Sequence, residues 1–238
     1  MIKTILLILI IAPNFILGQS SEVVENESTN GSGQYKWEIG INGGVNITNV
    51  SGFKSDSTGA RLENNIGRLY GITLVYHLNK LFAIKTDVDF ENKGWTVKNF
   101  GMVENSATGI SEIVDVTQNL NYFDIPAFLH IGFGKKLKFD LNFGPYVAFL
   151  MDNKTTITDR NGIVLPDSDV ALGVLPEYSA TDFGITYGAG IDLALGKRVS
   201  FGFDLLYEQG LKDITADGLR NTSIDFDFGI NILFGKKK

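Results

Sequence analysis

Asn221-Thr222-Ser223-Ile224-Asp225-Phe226-Asp227-Phe228-Gly229-Ile230-Asn231-Ile232-Leu233-Phe234 alternates between two chemistries. Thr222, Ile224, Phe226, Phe228, Ile230, Ile232 and Phe234 fall on one face, and Asn221, Ser223, Asp225, Asp227, Gly229 and Asn231 on the other. A period of two defines a β-strand, with one face apolar and the other charged or small. Seven earlier runs carry the same period, and the gaps between them alternate long and short. No helical period is available to cover eight apolar faces. The sheet must therefore close and turn its apolar side toward lipid, because closure satisfies every backbone donor and acceptor that a bilayer cannot.

The expected fold is all-β, an eight-stranded antiparallel up-and-down transmembrane β-barrel. Its first strand runs over about Lys36 to Thr48 and the second over Ile66 to Leu78. The third, Leu81 to Glu91, carries Phe82, Ile84, Val88 and Phe90 outward and Lys85, Asp87, Asp89 and Glu91 inward. The polar stretch 92–116 reads as an outer loop, and the fourth and fifth strands follow around Phe123 and Phe139. A second polar stretch, 152–179, precedes strands six and seven. Pro126 and Pro145 each delete a ladder donor, which predicts a bulge or irregularity there. Short turns at Asn79, Gly134 and Gly196 are expected in the periplasm with both termini, and the long loops outside.

The N-terminal 19 residues combine a basic start at Lys3, the apolar run Ile5 to Ile11 and a breaker region from Pro13 to Gly18. They read as a secretory signal peptide. Residues 20–34 read as a disordered polar linker, 35–235 as the barrel and 236–238 as a basic tail. There is no cysteine for a lipid anchor or a disulfide. Removing Lys3 with the signal takes the formal charge from −6 to −7, which argues against nucleic acid as a partner. Gly (27) and Phe (17) are abundant and Pro (5) is sparse, as many strands with tight turns and an aromatic exterior require.

An eight-stranded lumen is wide enough only for its own side chains. The inward acids, among them Asp87, Asp89, Asp124, Asp140, Asp192, Asp204, Asp225 and Asp227, outnumber the inward bases, chiefly Lys36, Lys85 and Lys138. Buried carboxylates must pair, take up protons, reach water or hold a cation. Asp87, Asp89, Asp124, His77, His130, Lys138, Asp225 and Asp227 are thus read as a polar plug. His77 and His130, on nonadjacent strands, do not have a metal-ligand spacing. No nucleophile elbow, HExxH or phosphate loop is present, so neither catalysis nor a cofactor is expected. Asp152, Asp159, Asp167 and Asp169 lack the spacing of a calcium loop and read as a solvated surface. Trp37, Tyr70, Tyr76, Tyr122, Tyr187 and Tyr207 are candidates for interfacial girdles, and Trp95 with Phe100 for contact with a partner from the second outer loop.

Tyr122-Phe123-Asp124-Ile125-Pro126, then Gly144-Pro145-Tyr146 and Val147 to Met151, resemble the PorT-like outer membrane β-barrel proteins of Bacteroidetes-type bacteria. The Gly-rich sixth strand and the terminal strand ending at Phe234-Gly235 extend the resemblance over most of Trp37 to Gly235. It implies a Gram-negative outer-membrane location, contact with outer membrane lipid and insertion by the barrel assembly machinery. One branch of that family is tied to protein secretion, so an extracellular or secretion-system protein partner is implied. The alternatives are a narrow cation-conducting barrel and a soluble lipocalin-type barrel, the latter with apolar residues inside. If the face assignment is right, Phe226→Arg or Phe203→Arg disfavours membrane insertion by about 2 to 4 kcal/mol at mid-bilayer depth. Folding titrations into lipid vesicles measure this, and wild-type-like insertion of both variants contradicts the assignment.

Overall fold

The computed structural model describes residues 35–54, 59–105, 110–165 and 176–236. The stretches read as signal peptide and linker lie outside the described residues, as do Asp167 and Asp169. Eight strands follow one another: β1 Tyr35–Ser51, β2 Arg61–His77, β3 Phe82–Asn105, β4 Ile110–Gly134, β5 Leu137–Thr158, β6 Thr181–Ala194, β7 Val199–Gly210 and β8 Arg220–Lys236. Each pairs antiparallel with its neighbour, and β8 returns to β1 to close the ring. That seam runs from Tyr35↔Lys236 to Ser51↔Arg220, so no edge strand is left open.

Alternation sets the two surfaces. Outside stand Ile41 (67% exposed), Ile66 (81%) and Phe143 (58%), with Phe, Leu, Ile and Tyr side chains around the ring. Inside are Glu38, Asp87, Asp124, Asp140, Asp225 and their polar neighbours, all buried. This is the inverse of a soluble barrel such as a lipocalin, and lipid is the solvent that suits it. Aromatic contacts cross between strands on the outer face, as in Tyr70 stacked on Phe90 (5.8 Å between centroids) and Phe203 against Phe228 (4.9 Å).

Inward glycines let the wall coil tightly. A Cβ on Gly44 would lie 1.9 Å from the Phe226 carbonyl oxygen, and one on Gly144 1.8 Å from that of Ala127. Register shifts fall between Asn64 and Leu69, Val97 and Gly101, and Asn121 and Tyr122. No register shift falls at Pro126 or Pro145, but the ladder is interrupted at each, Pro126 being unpaired with β3 and Pro145 with β4 while the register on either side is kept, and Thr86 Oγ1 donates to the Pro126 carbonyl at 2.7 Å. The shift after Val97 has a local cause. Asn99 takes a positive φ of 53°, and Asp115 accepts both its backbone N–H (3.0 Å) and the Lys98 ammonium (2.7 Å).

Three expectations are corrected here. The stretch 92–116 is not an outer loop: β3 and β4 run on to Asn105 and from Ile110, as a hairpin of 24 and 25 residues. Beyond the bilayer the outer face meets water, so these strands lose the apolar alternation that marks the others. Tyr122 is no girdle residue, being fully buried in the lumen. Lys36 is exposed at the rim rather than inside, with Nζ 5.1 Å from the centre of the Tyr76 ring, where its stem covers an aromatic face and its charge reaches water.

Candidate functional site

The lumen is a stack of polar layers whose order follows the inward positions of β3. Nearest the short turns, Glu38 Oε1 meets His77 Nε2 at 2.6 Å, and His130 Nδ1 meets Asn142 Oδ1 at 2.8 Å. The two histidines line one cavity with Asp192 and Asp204, yet each is bonded to its own partner and not to the other. Lys138, half-buried, lines a second cavity at the same end with Lys135, Lys136 and Asp192. In the next layer Lys85 Nζ donates to Asp204 Oδ2 at 2.6 Å and lies 3.8 Å from Asp87 Oδ2. Asn142 Nδ2 ties Asp140 and Asp204 together, both at 2.9 Å.

Above this, Asn42 Nδ2 donates to Asp89 (2.8 Å) and Asp227 (3.3 Å), beside Asp87 and Asp225. Then comes Lys93, 1% exposed. Its ammonium lies 3.0 Å from Glu91 Oε2, 3.0 Å from Asp124 Oδ2 and in short contact with Glu208 Oε2. Ligand oxygens of those three carboxylates lie within 4.8 Å of one another, the spacing of a metal site, and the lysine stands at their centre as the cation. Asn46 donates to the far oxygen of Glu91 (2.7 Å), Thr186 to that of Glu208 (3.1 Å), and the ammonium sits 4.7 Å from the Tyr146 ring centre. The Coulomb energy of such a buried group offsets its large desolvation cost only because the partners converge from three strands.

Over Lys93, Tyr146 and Asn221 donate to Asp182 Oδ2 (3.1 and 2.9 Å), and Asn221 reaches the Tyr122 hydroxyl (3.2 Å). An apolar cluster of Trp95, Val97, Leu120, Ala148 and Ile214 then roofs this layer toward the loop end. Trp95 is therefore part of this roof, 2% exposed and edge-on to Tyr178, and is not available to a partner. Phe100, by contrast, is 46% exposed on the extension of β3. Lys93 itself is the residue that sequence reasoning missed. Its signal was present, two positions after Glu91 on the same inward parity, but the polar run around it resembles a loop.

A second small core, Val114, Val116, Ile157 and Leu165, packs the segment that follows β5, as far as Leu165, against the extended wall. The bridge Thr158↔Val164 closes a tight turn there. Asp159 caps that turn through the amides of Ile163 and Asn161, both at 2.8 Å, and these hydrogen bonds, that of Ile163 first, hold its carboxyl below the usual range. Its carboxylate is thus committed to its own loop. Ile163 and Val164 stand 60% exposed at the tip.

Lys93→Met removes the cation and leaves three buried carboxylates unpaired, which should destabilise the barrel by about 3 to 5 kcal/mol. Urea unfolding in detergent micelles reads this as a lower midpoint at unchanged slope.

Solved structures similar to this chain include Ail, the attachment invasion locus protein of Yersinia pestis, at 15% identity over 82% of this chain and 99% of that one, with a TM-score of 0.42. OprG from Pseudomonas aeruginosa is 13% identical over 86% and 99%, with a TM-score of 0.49. Neisserial surface protein A is 14% identical over 83% and 97%, with a TM-score of 0.40. At such scores these likenesses carry no argument about function. Among curated proteins none matches the chain in sequence. The family model described as "Outer membrane protein beta-barrel domain" matches residues 19–216, most of the chain and seven of the eight strands. Apolar exterior, closed ladder and family match agree, and the chain belongs to the outer membrane protein β-barrel domain family, which points to a Gram-negative outer membrane.

Proposed function

We propose that this barrel is a non-enzymatic surface-interaction protein that works from its loop end, with both termini in the periplasm. The observation that carries the reading is the filled lumen: among the described residues a buried lysine bound by three carboxylates occupies the bore, with an apolar cluster above it. What reaches beyond the membrane is wall. The 24 residues of β3, at about 3.3 Å each and a tilt of about 40°, give a height of roughly 60 Å against roughly 30 Å of hydrocarbon. The β3–β5 extension, with Phe100, Ile163 and Val164 exposed on it, is the surface offered to a protein partner. A place on a protein secretion route, as in the PorT-like branch that the Tyr122 to Pro126 and Gly144 to Tyr146 motifs resemble, is part of this proposal.

The acid excess of the lumen favours a second reading, a narrow cation path. Planar bilayer recording separates the two. Silence of the wild type is expected; cation-selective conductance that falls in Asp87→Asn and Asp225→Asn would establish the path instead. Because the chain lacks cysteine, orientation can be read from single thiols. Ile163→Cys should react with a membrane-impermeant maleimide on intact cells and Asn79→Cys should not, and the reverse pattern would overturn the assignment of the outer surface.

A further inference from the structure

The formal charge of −6 hides a segregation: many of the carboxylates face the lumen, whereas the short-turn end exposes cations. Lys80 stands in the β2–β3 turn, Lys135 and Lys136 in the β4–β5 turn, Lys197 and Arg198 in the β6–β7 turn and Lys36 near the start of β1, all exposed. No Asp or Glu occurs in 78–82, 132–139 or 193–199. Among the described residues none of these six cations has a carboxylate within 4.0 Å. Toward the loop end, by contrast, Lys98 pairs with Asp115 at 2.7 Å and Arg220 with Asp213 at 2.6 Å.

Two features put the unpaired cations at the depth of lipid headgroups. Each turn flanks them with exposed apolar side chains: Leu78 and Leu81 around Lys80, Phe133 and Leu137 around Lys135 and Lys136, and Leu195 before Lys197. On the same rim the Trp37 and Tyr76 rings lie 4.5 Å apart, with Lys36 Nζ 5.1 Å from the centre of the latter, and such residues gather where hydrocarbon meets headgroups.

Two of the turns also share a cleft. Lys135, Lys136 and Lys138 line it together with Gly196, and the Ala194 amide donates to the Lys136 carbonyl at 2.9 Å, which ties the two turns together. Ser200 lines the same cleft, 8% exposed, and its Oγ has no hydrogen-bond partner. Two carboxylates border it as well, Glu38, already bonded to His77, and Asp192, opposite Lys138 in the ladder. Ammonium groups and a free hydroxyl in excess of carboxylates suit an anion rich in acceptor oxygens, as a phosphate is. We propose that the short-turn rim binds anionic phospholipid, its phosphate held by Lys135 and Lys136 with Lys197 from the neighbouring turn, and its acyl chains lying on Phe133, Leu137 and Leu195. A lipid fits better than a soluble acidic partner, because the same turns present apolar side chains that hydrocarbon covers. In the orientation proposed above, the lipid belongs to the periplasmic leaflet.

The test uses the full chain, which lacks cysteine, with a thiol-linked fluorophore at Leu195→Cys beside the β6–β7 turn or at Met151→Cys toward the loop end of β5. Each is folded into vesicles of equal parts phosphatidylglycerol and phosphatidylcholine in which one lipid or the other carries brominated acyl chains, so that quenching reports which lipid lies against the label. At Leu195→Cys a preference of about tenfold for phosphatidylglycerol is expected, shrinking as NaCl rises. At Met151→Cys the two lipids should quench alike. Adding Lys135→Gln, Lys136→Gln and Lys197→Gln, all at exposed turn positions, should abolish the preference at Leu195→Cys. Equal quenching at Leu195→Cys with the lysines intact overturns the proposal and leaves the rim to a soluble acidic partner. A preference that survives the triple substitution, or that is as strong at Met151→Cys, overturns it too. Both leaflets of the vesicle are alike, so the result does not depend on which way the barrel points, and a reversed orientation in cells would show only in the maleimide labelling.

Discussion

The pairing of β8 with β1 is the constraint from which the rest follows. In hydrocarbon no water satisfies a free N–H or C=O, so a sheet survives there only when its last strand bonds to its first. With eight strands the ring that results is too narrow for a water-filled channel. Its inward positions must then be filled by side chains that are buried even though they are polar. The alternation that places Phe226 and Phe228 in lipid places Asp225 and Asp227 inside with no further choice to make.

The interior answers this demand unevenly. Lys93 gathers Glu91, Asp124 and Glu208, Lys85 gathers Asp204 and Asp87, and amides such as Asn42, Asn46 and Asn142 bridge carboxylates to one another. Toward the loop end the packing changes character to the apolar cluster around Trp95, Leu120 and Ile214. Paired polar side chains below and an apolar cluster above fill the same tube by different physics. Ion pairing works where no water competes, and hydrophobic burial works where the wall emerges into water.

The extended hairpin of β3 and β4 marks where reading from sequence loses its grip. Within the bilayer, Phe82, Ile84 and Phe90 announce a strand because lipid demands an apolar outer face. Above it, Asn92, Gly94 and Thr96 hold the same ladder, paired with Asn121, Asn119 and Thr117, with nothing apolar to announce it. That is why a lysine essential to the lumen's charge pattern stood inside what read as a loop, and why Trp95 read as a surface contact. Tyr122 shows the converse. A tyrosine on a lumen-facing parity belonged inside, whatever the general enrichment of tyrosine at membrane interfaces.

The sequence by itself determined strand number, the two faces of each membrane-crossing strand and the acidity of the lumen. All of these are one-dimensional consequences of a period of two and of the solvent on either side. The tertiary structure alone decided which charges meet. Lys93 and Glu208 are far apart in the chain and touch because ring closure brings β3 and β7 across the same narrow bore. It also decided where the polar layers give way to the apolar cluster, and it placed Asp225 and Asp227 around the same small cavity as Asp87 and Asp89. Such meetings depend on the register of eight strands taken together, and no local pattern of residues encodes that sum.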